Sequence, residues 1–174
     1  MRWMFLLLMV AANAQGEVVD SSAHGFTSEH RLVLKAPPDK VYEALTRDID
    51  LWWDDAHSFG GEASVFSLDA RAGGCFCENL PDGGSVQHML VVNAQPGRQL
   101  ILSGGLGPLQ AMGISGAMTF TLGTHAEGTE LAYRYVVGGY VAGGLEAWAD
   151  PVDQVQLGQL KRLQQFAATG EALD

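Results

Sequence analysis

Apolar side chains recur at helical spacing near the C-terminus, in the segment that begins at Asp150 and ends at Gly170. Asp150 is a favourable N-cap, Pro151 suits the first helical position, and Gly170 supplies a left-handed residue that ends a helix. At about 100° per residue, one broad stripe contains Val152, Val155, Leu160, Leu163, Phe166 and Ala167. Gln156 and Gln159 fall inside that stripe. The pattern predicts a long helix whose apolar side packs against a large surface.

Alternation of apolar and polar residues dominates the chain before this helix. One face of segment 26–35 collects Phe26, Ser28, His30, Leu32 and Leu34, which predicts a half-buried strand. Similar patterns predict six further strands, at 63–68, 74–80, 85–93, 98–103, 116–122 and 129–137. Turn residues, such as those at 81–84 and 95–97, separate consecutive strands, so neighbouring strands are expected to pair antiparallel.

Two short helices are predicted between the first two of these strands. The break at 36–39 opens a helix with Val41, Ala44 and Leu45 on its inner face, and a second short helix covers 48–53. The order is therefore strand, two short helices, six strands and a long helix. It predicts an α+β fold in which a curved, seven-stranded antiparallel sheet wraps around the long C-terminal helix.

The first 14 residues differ in composition from the rest of the chain. Arg2 precedes an apolar run at 4–12, and Ala12-Asn13-Ala14 fits the small-x-small rule for signal cleavage. A buried first strand and a membrane anchor are the alternatives, but the run is far shorter than the ~20 residues that a spanning helix needs. We expect residues 1–14 to be a signal peptide, 15–25 a flexible leader and 26–170 the folded domain. The protein is then periplasmic or secreted, with no stable membrane span.

Charge and composition restrict the possible partners. The chain of 174 residues is long enough for one domain with a substantial core. Its 20 acidic and 10 basic residues give a net charge of −10, with no basic run. Such a chain repels phosphate backbones, so nucleic acid is not expected as a partner.

Several sequence features together resemble a known superfamily. They are the opening KAPPDKVYEALT, the WW dipeptide after it, the GG-x-F-x-E run at 73–78 and the closing helix PVDQVQLGQLKRL. Over roughly residues 26–170 the chain resembles the START-like or SRPBCC superfamily, which includes birch-pollen-allergen-like proteins. Within it, the chain looks most like the branch of homologues of the activator of heat-shock-protein ATPase. The resemblance implies a helix-grip fold, with an apolar cavity between the sheet and the C-terminal helix.

The resemblance implies no single activity, because the superfamily includes lipid carriers, cyclases, hydrolases and proteins of unknown role. The activity in the branch name is not carried over either, since an exported protein would never meet a cytosolic chaperone.

Two cysteines and a histidine are candidates for chemistry. Cys75 and Cys77 lie two positions apart on a predicted strand, so their side chains point to the same face. Their Cα atoms are expected about 6.5 Å apart with parallel side chains, which predicts free thiols rather than a disulfide. A two-residue turn after the strand would pair Cys77 with His88 and Cys75 with Leu90. Cys75, Cys77 and His88 are then expected to face the cavity.

Three interpretations of this cluster are open. Sulfur and imidazole suit a soft metal such as zinc or copper, which would need three or four such ligands. A thiolate nucleophile would need His88 to pair with Cys77 and lower its pKa. Small buried cysteines also pack as apolar residues, with His88 making one internal hydrogen bond. The spacing matches no strong metal signature, so we predict neither metal nor cofactor, and no residue is assigned a catalytic role.

Further candidate residues cluster around the expected mouth of the cavity. Of the adjacent Trp52 and Trp53, one is expected to anchor the short helix and the other to lie near the mouth, with His57 following. The loop 104–114 is apolar and rich in glycine, which is unusual for a solvated turn. It predicts a lid that contributes Leu106, Leu109 and Met112. Ordinary packing of these segments on the sheet is the alternative.

The polar groups expected inside the cavity come from several elements: His30, His88, Tyr133, Tyr135, Gln156 and Gln159. A mostly apolar pocket with a few placed polar groups is typical of small-molecule sites. We therefore expect a domain that binds a small hydrophobic or amphipathic ligand. One alternative is a cofactor-independent cyclase, dehydratase or hydrolase that uses a cavity histidine or tyrosine. The other is a protein-interaction module with an unknown partner.

Overall fold

The computed structural model describes residues 16–62 and 65–173. It contains one antiparallel sheet and a long C-terminal helix, so the α+β class is confirmed. The strands are β1 (Gly16–Ser22), β2 (Gly25–Leu34), β3 (Phe66–Leu68), β4 (Cys75–Asn79), β5 (Ser85–Gln95), β6 (Gln99–Gly104), β7 (Ile114–His125) and β8 (Gly128–Gly139). The expected signal peptide at 1–14 and residues 63 and 64 of a predicted strand lie outside the described residues.

The sheet has eight strands in the order β1-β2-β8-β7-β6-β5-β4-β3. Strands β3 to β8 form a meander, and β2 pairs with β8 to attach the start of the chain to its end. The side chains expected on one face of β2 are buried, as are Leu131, Tyr133, Tyr135 and Val137 on β8. This common buried face forms the wall on which the C-terminal helix packs.

Strand β1 corrects the expectation of a flexible leader at 15–25 and raises the strand number from seven to eight. It pairs with β2 from Gly16↔His30 to Ser22↔Gly25, with a bulge at Val19. As an edge strand it keeps most of its side chains at least partly exposed. A strand held mainly by backbone hydrogen bonds needs no apolar alternation, which is why the sequence pattern missed it.

Both α-helices occur where the sequence predicts them, with one shifted boundary. Helix α1 (Pro38–Thr46) buries Val41, Ala44 and Leu45, as expected, and a 3-10 turn at Ile49–Leu51 replaces the second short helix. Helix α2 (Glu146–Thr169) ends at Gly170, whose φ of 77° is left-handed. It begins one turn before Asp150, so the N-cap expected at Asp150 is wrong. Among the described residues, no helix has the length and apolar character needed to cross a membrane.

The buried side of α2 is more polar than the predicted stripe. Its buried side chains are Ala149, Asp153, Gln156, Gln159, Leu160 and Leu163. Val152, Val155, Phe166 and Ala167 are only partly buried, although the stripe predicted them as core residues. The sheet packed on this helix is compatible with a helix-grip fold. The buried polar residues lie between the tightly packed C-terminal half of the helix and its more open N-terminal half.

A β-bulge in β5 determines which side chains reach the interior. Phe76 pairs with Met89 but the next residue, Cys77, pairs with Gln87, so His88 is an extra residue without a partner on β4. An extra residue resets the alternation of faces along a strand. As a result His88 and Met89 are both buried, although they are adjacent.

Candidate functional site

A cavity of about 310 Å³ lies beside the N-terminal half of α2. Its other walls come from the segment after α1, from His88 on β5 and from the loop between β6 and β7. Exposed side chains surround its opening, among them Phe59, Pro108 and Pro151. The cavity is therefore an open pocket at one end of the interface between helix and sheet.

The cavity wall is mainly apolar. Its apolar lining includes Trp53, Phe59, Leu106, Leu109 and Trp148. Within the described part of the chain, no lysine, arginine, aspartate or glutamate is among the lining residues. The polar lining consists of His57, Ser58, His88 and Gln156, which matches the general composition of small-molecule sites.

Glu78 and His88 form a buried pair in which His88 lines the cavity and Glu78 lies behind it. Glu78 is 0% exposed and His88 3% exposed, and His88 Nε2 lies 3.0 Å from Glu78 Oε2. The other carboxylate oxygen, Oε1, accepts hydrogen bonds from Ser58 Oγ at 2.7 Å and from the Gly60 N–H at 2.5 Å. Both oxygens of the carboxylate are thus satisfied, which is what a buried ionised carboxylate requires.

The protonation states of this pair follow from its surroundings. Burial raises the pKa of Glu78, but hydrogen bonds from Ser58, Gly60 and Phe59 outweigh it, so the pKa is lowered overall. Burial lowers the pKa of His88, and the hydrogen bond with Glu78 offsets this only in part. At neutral pH, Glu78 is therefore ionised and His88 neutral, with its proton on Nε2.

The second ring nitrogen of His88 faces a different group. Nδ1 lies 3.2 Å from Nε2 of Gln110, an exposed residue in the 3-10 turn Gly107–Met112. A neutral imidazole protonated at Nε2 accepts at Nδ1, so Gln110 donates this hydrogen bond. The ring also lies against two phenylalanines, with centroids 5.2 Å from both Phe66 and Phe76. His88 is thereby fixed in orientation, with one acceptor nitrogen on the loop side.

The predictions of free thiols, of cysteines that face the cavity and of a Cys77–His88 pair are wrong. Cys75 and Cys77 are joined in a disulfide, with Cα atoms 5.4 Å apart, and there are no free cysteines among the described residues. The bulge between β4 and β5 pairs Cys77 with Gln87 rather than with His88, while Cys75 pairs with Leu90 as expected. Phe76 and Glu78 occupy the buried face of β4, so the two cysteines lie on the opposite face, away from His88.

The thiol chemistry that the sequence left open loses its basis, because both sulfurs are bonded to each other. The described residues also contain no group of three or more His, Cys, Asp or Glu side chains that could hold a metal ion.

The two tryptophans divide their roles between packing and the cavity. Trp52 is 2% exposed, and its Nε1 donates to the Ala44 carbonyl at 2.8 Å, which anchors the end of α1. Trp53 lines the cavity and lies edge-on to Phe76. His57 also lines the cavity, in an exposed 3-10 turn in which Asp54 Oδ1 accepts from the Ala56 N–H.

The two glutamines of α2 have different surroundings, although both were expected in the cavity. Gln156 lines it, and its Oε1 accepts from the Tyr133 hydroxyl at 2.9 Å. Gln159 lies deeper, beside a residual void of about 20 Å³, and its Oε1 accepts from the Asp54 N–H at 3.1 Å. Gln159 therefore joins the segment after α1 to the helix and is not a cavity residue.

Tyr133 and Tyr135 support the cavity from behind without lining it. The Tyr135 hydroxyl accepts from the Leu106 N–H at 3.3 Å and so positions the start of the loop. Its ring requires Gly116 on β7, because a Cβ there would lie 2.6 Å from the ring. Burial raises the pKa of Tyr135 to about 12, and that of Tyr133 well above its ordinary value. Neither hydroxyl is suited to lose a proton near neutral pH.

His30 belongs to a separate buried network. Its Nε2 lies 2.8 Å from Oδ1 of Asp153 on α2, and the Ser28 hydroxyl donates to the same oxygen. All three residues are at most 2% exposed. Their hydrogen bonds attach α2 to β2. His30 therefore has a structural role and lies outside the cavity.

Six of the thirteen candidate residues line the cavity: Trp53, His57, His88, Leu106, Leu109 and Gln156. The others do not: His30, Trp52, Cys77, Met112, Tyr133, Tyr135 and Gln159. Sequence reasoning missed Glu78, Gln110 and Trp148. Glu78 lies in the GG-x-F-x-E run at 73–78 and shares a strand face with Phe76. The expectation that the cysteines face the cavity placed both residues on the opposite face. Gln110 had no comparable signal.

Comparisons with known proteins identify the fold but no family. No protein-family model matches the chain, and no curated protein matches it. A protein from Rhodobacter sphaeroides is similar in structure, at 22% identity and a TM-score of 0.58, over 90% of this chain and 100% of that one. A conserved protein of unknown function from Enterococcus faecalis is similar at 15% identity and a TM-score of 0.58, over 92% and 80% of the two chains.

DynU16, from the dynemicin biosynthetic locus, is also similar in structure. The identity is 21% and the TM-score 0.56, over 83% of this chain and 48% of DynU16. At such identities these likenesses concern the fold alone.

Proposed function

We propose that this protein is an exported, START-like helix-grip domain that binds a small hydrophobic or amphipathic molecule in the cavity beside α2. The observation that carries the proposal is the cavity itself, about 310 Å³ in volume and lined mainly by aromatic and aliphatic side chains. Cavities of roughly 300–1,000 Å³ with a few placed polar groups are typical of ligand sites.

Export is supported by two independent features. The segment 1–14 has the composition of a signal peptide, and the Cys75–Cys77 disulfide suits an oxidising compartment. Expression of the full chain in a bacterial host with fractionation tests this part. We expect mature protein outside the cytoplasm with an N-terminus at Gln15, whereas a cytoplasmic protein that keeps Met1 would refute export without affecting the binding proposal.

A neutral fluorescent probe tests the binding proposal. N-phenyl-1-naphthylamine should bind to the native protein, and Val155→Phe should fill the cavity and weaken its affinity by about tenfold or more, which corresponds to about 1.4 kcal/mol. Gln154→Phe is the matched control, because Gln154 is exposed on the neighbouring position of the same helix. Equal loss of probe binding in both variants, or no binding to the native protein, would refute the proposal.

The Glu78–His88 pair favours hydrolysis as a second candidate function. A carboxylate that fixes one imidazole nitrogen leaves the other to accept a proton, as a general base does. In an ester hydrolase, Nδ1 would accept a proton from the water that attacks the carbonyl, and would return it to the leaving alkoxide. Hydrolysis of a p-nitrophenyl ester should then be lost in His88→Phe and kept in Gln87→Ala. Activity that is unchanged in His88→Phe would refute it.

A further inference from the structure

The polar contacts of His88 leave one position that a ligand could occupy. Nε2 is hydrogen-bonded to Glu78, whose buried carboxylate also accepts from the Ser58 hydroxyl and the Gly60 N–H. Nδ1 is covered by the amide of Gln110, whose side chain makes no other hydrogen bond with the described residues. The first contact is fixed by the fold, whereas the second depends on an exposed side chain in a short loop.

Gln110 is suited to be displaced. It lies in the 3-10 turn that also contributes Leu109 to the cavity wall, so the turn borders both the cavity and His88. When an O–H group of a ligand replaces the amide, Nδ1 keeps a donor and the amide of Gln110 turns to water. The exchange leaves no buried polar atom without a hydrogen-bond partner, so its free-energy cost is small.

The charges around the cavity exclude an anionic head group. No arginine or lysine from the described residues lines the cavity, and the buried charge nearest to His88 is the carboxylate of Glu78. A ligand carboxylate would therefore be desolvated without a cation and close to a like charge, both of which are unfavourable.

Gln156 supplies the complementary donor on the part of the wall that α2 forms. Its Oε1 accepts from Tyr133, while its Nε2 makes no hydrogen bond within the described ranges. That N–H group is available to a carbonyl or ether oxygen of a ligand.

From these contacts we infer that the ligand is a neutral, largely apolar molecule bearing a hydroxyl group, and that this hydroxyl donates to His88 Nδ1 in place of Gln110. Gln110 then occupies the hydroxyl position when the cavity is empty, and His88 is the residue that distinguishes a hydroxyl from an ether. This inference rests on the proposed binding function and specifies the class of its ligand.

A matched pair of probes tests the inference. 2-Naphthol and 2-methoxynaphthalene have the same ring system, but only the naphthol has a donor, and both are neutral near pH 7. Isothermal titration should show tighter binding of the naphthol by about three- to tenfold, since one hydrogen bond has a net worth of about 0.5–1.5 kcal/mol. 2-Naphthoate should bind more weakly than either probe, because no cation receives its carboxylate.

Two variants assign the preference to the proposed atoms. His88→Phe keeps an aromatic ring against Phe66 and Phe76 but removes the acceptor, so both neutral probes should bind equally. Gln110→Ala removes the internal competitor, so the preference for naphthol should rise by a few-fold. Gln87→Ala, on the exposed face of β5 next to His88, is the control and should leave the preference unchanged.

Each outcome decides one of the two claims. Equal binding of the two neutral probes to the native protein, or a preference that persists in folded His88→Phe, overturns the hydroxyl inference and leaves the binding proposal intact. Failure of every probe to bind refutes the binding proposal, and the inference falls with it. If circular dichroism shows that His88→Phe is unfolded, Gln110→Ala decides alone, because an unchanged preference there contradicts displacement of the amide.

Discussion

The two halves of helix α2 face the same sheet but pack against it differently. In the C-terminal half, Leu160 and Leu163 are 3% and 0% exposed, and only a void of about 20 Å³ remains beside Leu160. In the N-terminal half, Val152 and Val155 are partly exposed along a cavity of about 310 Å³. One amphipathic helix thus has a packed end and an open end.

The difference depends on what faces the helix, not on the helix alone. The C-terminal half meets side chains of α1 and the sheet directly. The N-terminal half meets the loop between β6 and β7, which Tyr135 holds through the Leu106 N–H. Between the two halves, Asp153, Gln156 and Gln159 bind β2, β8 and the segment after α1. These polar contacts hold the helix in place, so the cavity can stay open without apolar packing at that end.

The largest expected effect is a cavity created in the packed end. Leu163→Ala should lower the free energy of unfolding by about 2–5 kcal/mol, because a fully buried leucine is removed from a tightly packed site. Val155→Ala, at the open end, should cost less than about 1 kcal/mol, since the side chain is already partly exposed to the cavity. Urea denaturation of both variants measures the contrast, and equal losses would show that the two ends are packed alike.

The next largest effect concerns the buried polar network that joins α2 to β2. Asp153→Ala removes the acceptor that His30 and Ser28 share and leaves these two side chains only their contact with each other at 3.3 Å. A buried group left unpaired costs about 1–3 kcal/mol. Asp150→Ala, an exposed position one turn earlier, should change stability by no more than about 0.5 kcal/mol. Thermal melts of both variants test this, and a neutral Asp153→Ala would mean that the network does not hold the helix.

The two glutamines should separate binding from stability. Gln159→Leu leaves the Asp54 N–H unpaired, so we expect a loss of about 1–3 kcal/mol with unchanged probe binding. Gln156→Leu should weaken probe binding clearly, because it replaces a cavity amide, although it also leaves the Tyr133 hydroxyl without its acceptor. Melting and probe titration on both variants show the outcome. The reverse pattern would place the cavity at Gln159.

The smallest effect is expected from pH. The pKa of His88 is lowered in the folded protein by burial, with Glu78 as the charged group that contacts it. The unfolded chain therefore binds a proton more readily, so stability is retained above the ordinary histidine pKa of about 6.5 and falls as the pH decreases below it. Glu78, whose pKa is also lowered, adds to the loss at more acidic pH.

Denaturation at a series of pH values tests the sign. His88→Phe should reduce the loss of unfolding free energy just below about pH 6.5. His125→Gln, at the exposed end of β7, should leave that loss unchanged. A native protein that becomes more stable in this range would contradict the assignment of a neutral His88.

Much of the fold could be predicted from short-range patterns. Alternation identified β2 and β8 together with their buried faces, and helical spacing together with Gly170 identified α2 and its end. These features depend on which side chains avoid water and on local backbone preferences. Both can be inferred from residues that are close together in the sequence. Strand β1 could not be found in this way, because its pairing with β2 depends on backbone groups that every sequence provides.

The candidate site was predictable only in part, because one unpaired residue decides its geometry. The sequence by itself determined that His88, the apolar loop 104–114 and Gln156 are candidates for one ligand site, since all carry unusual side chains for their positions. The bulge at His88 was decided by tertiary structure: it turned His88 toward Glu78, left the cysteines on the other face and placed Gln110 over the free nitrogen. A bulge depends on how two strands fit around a packed core, so no local sequence pattern predicts it.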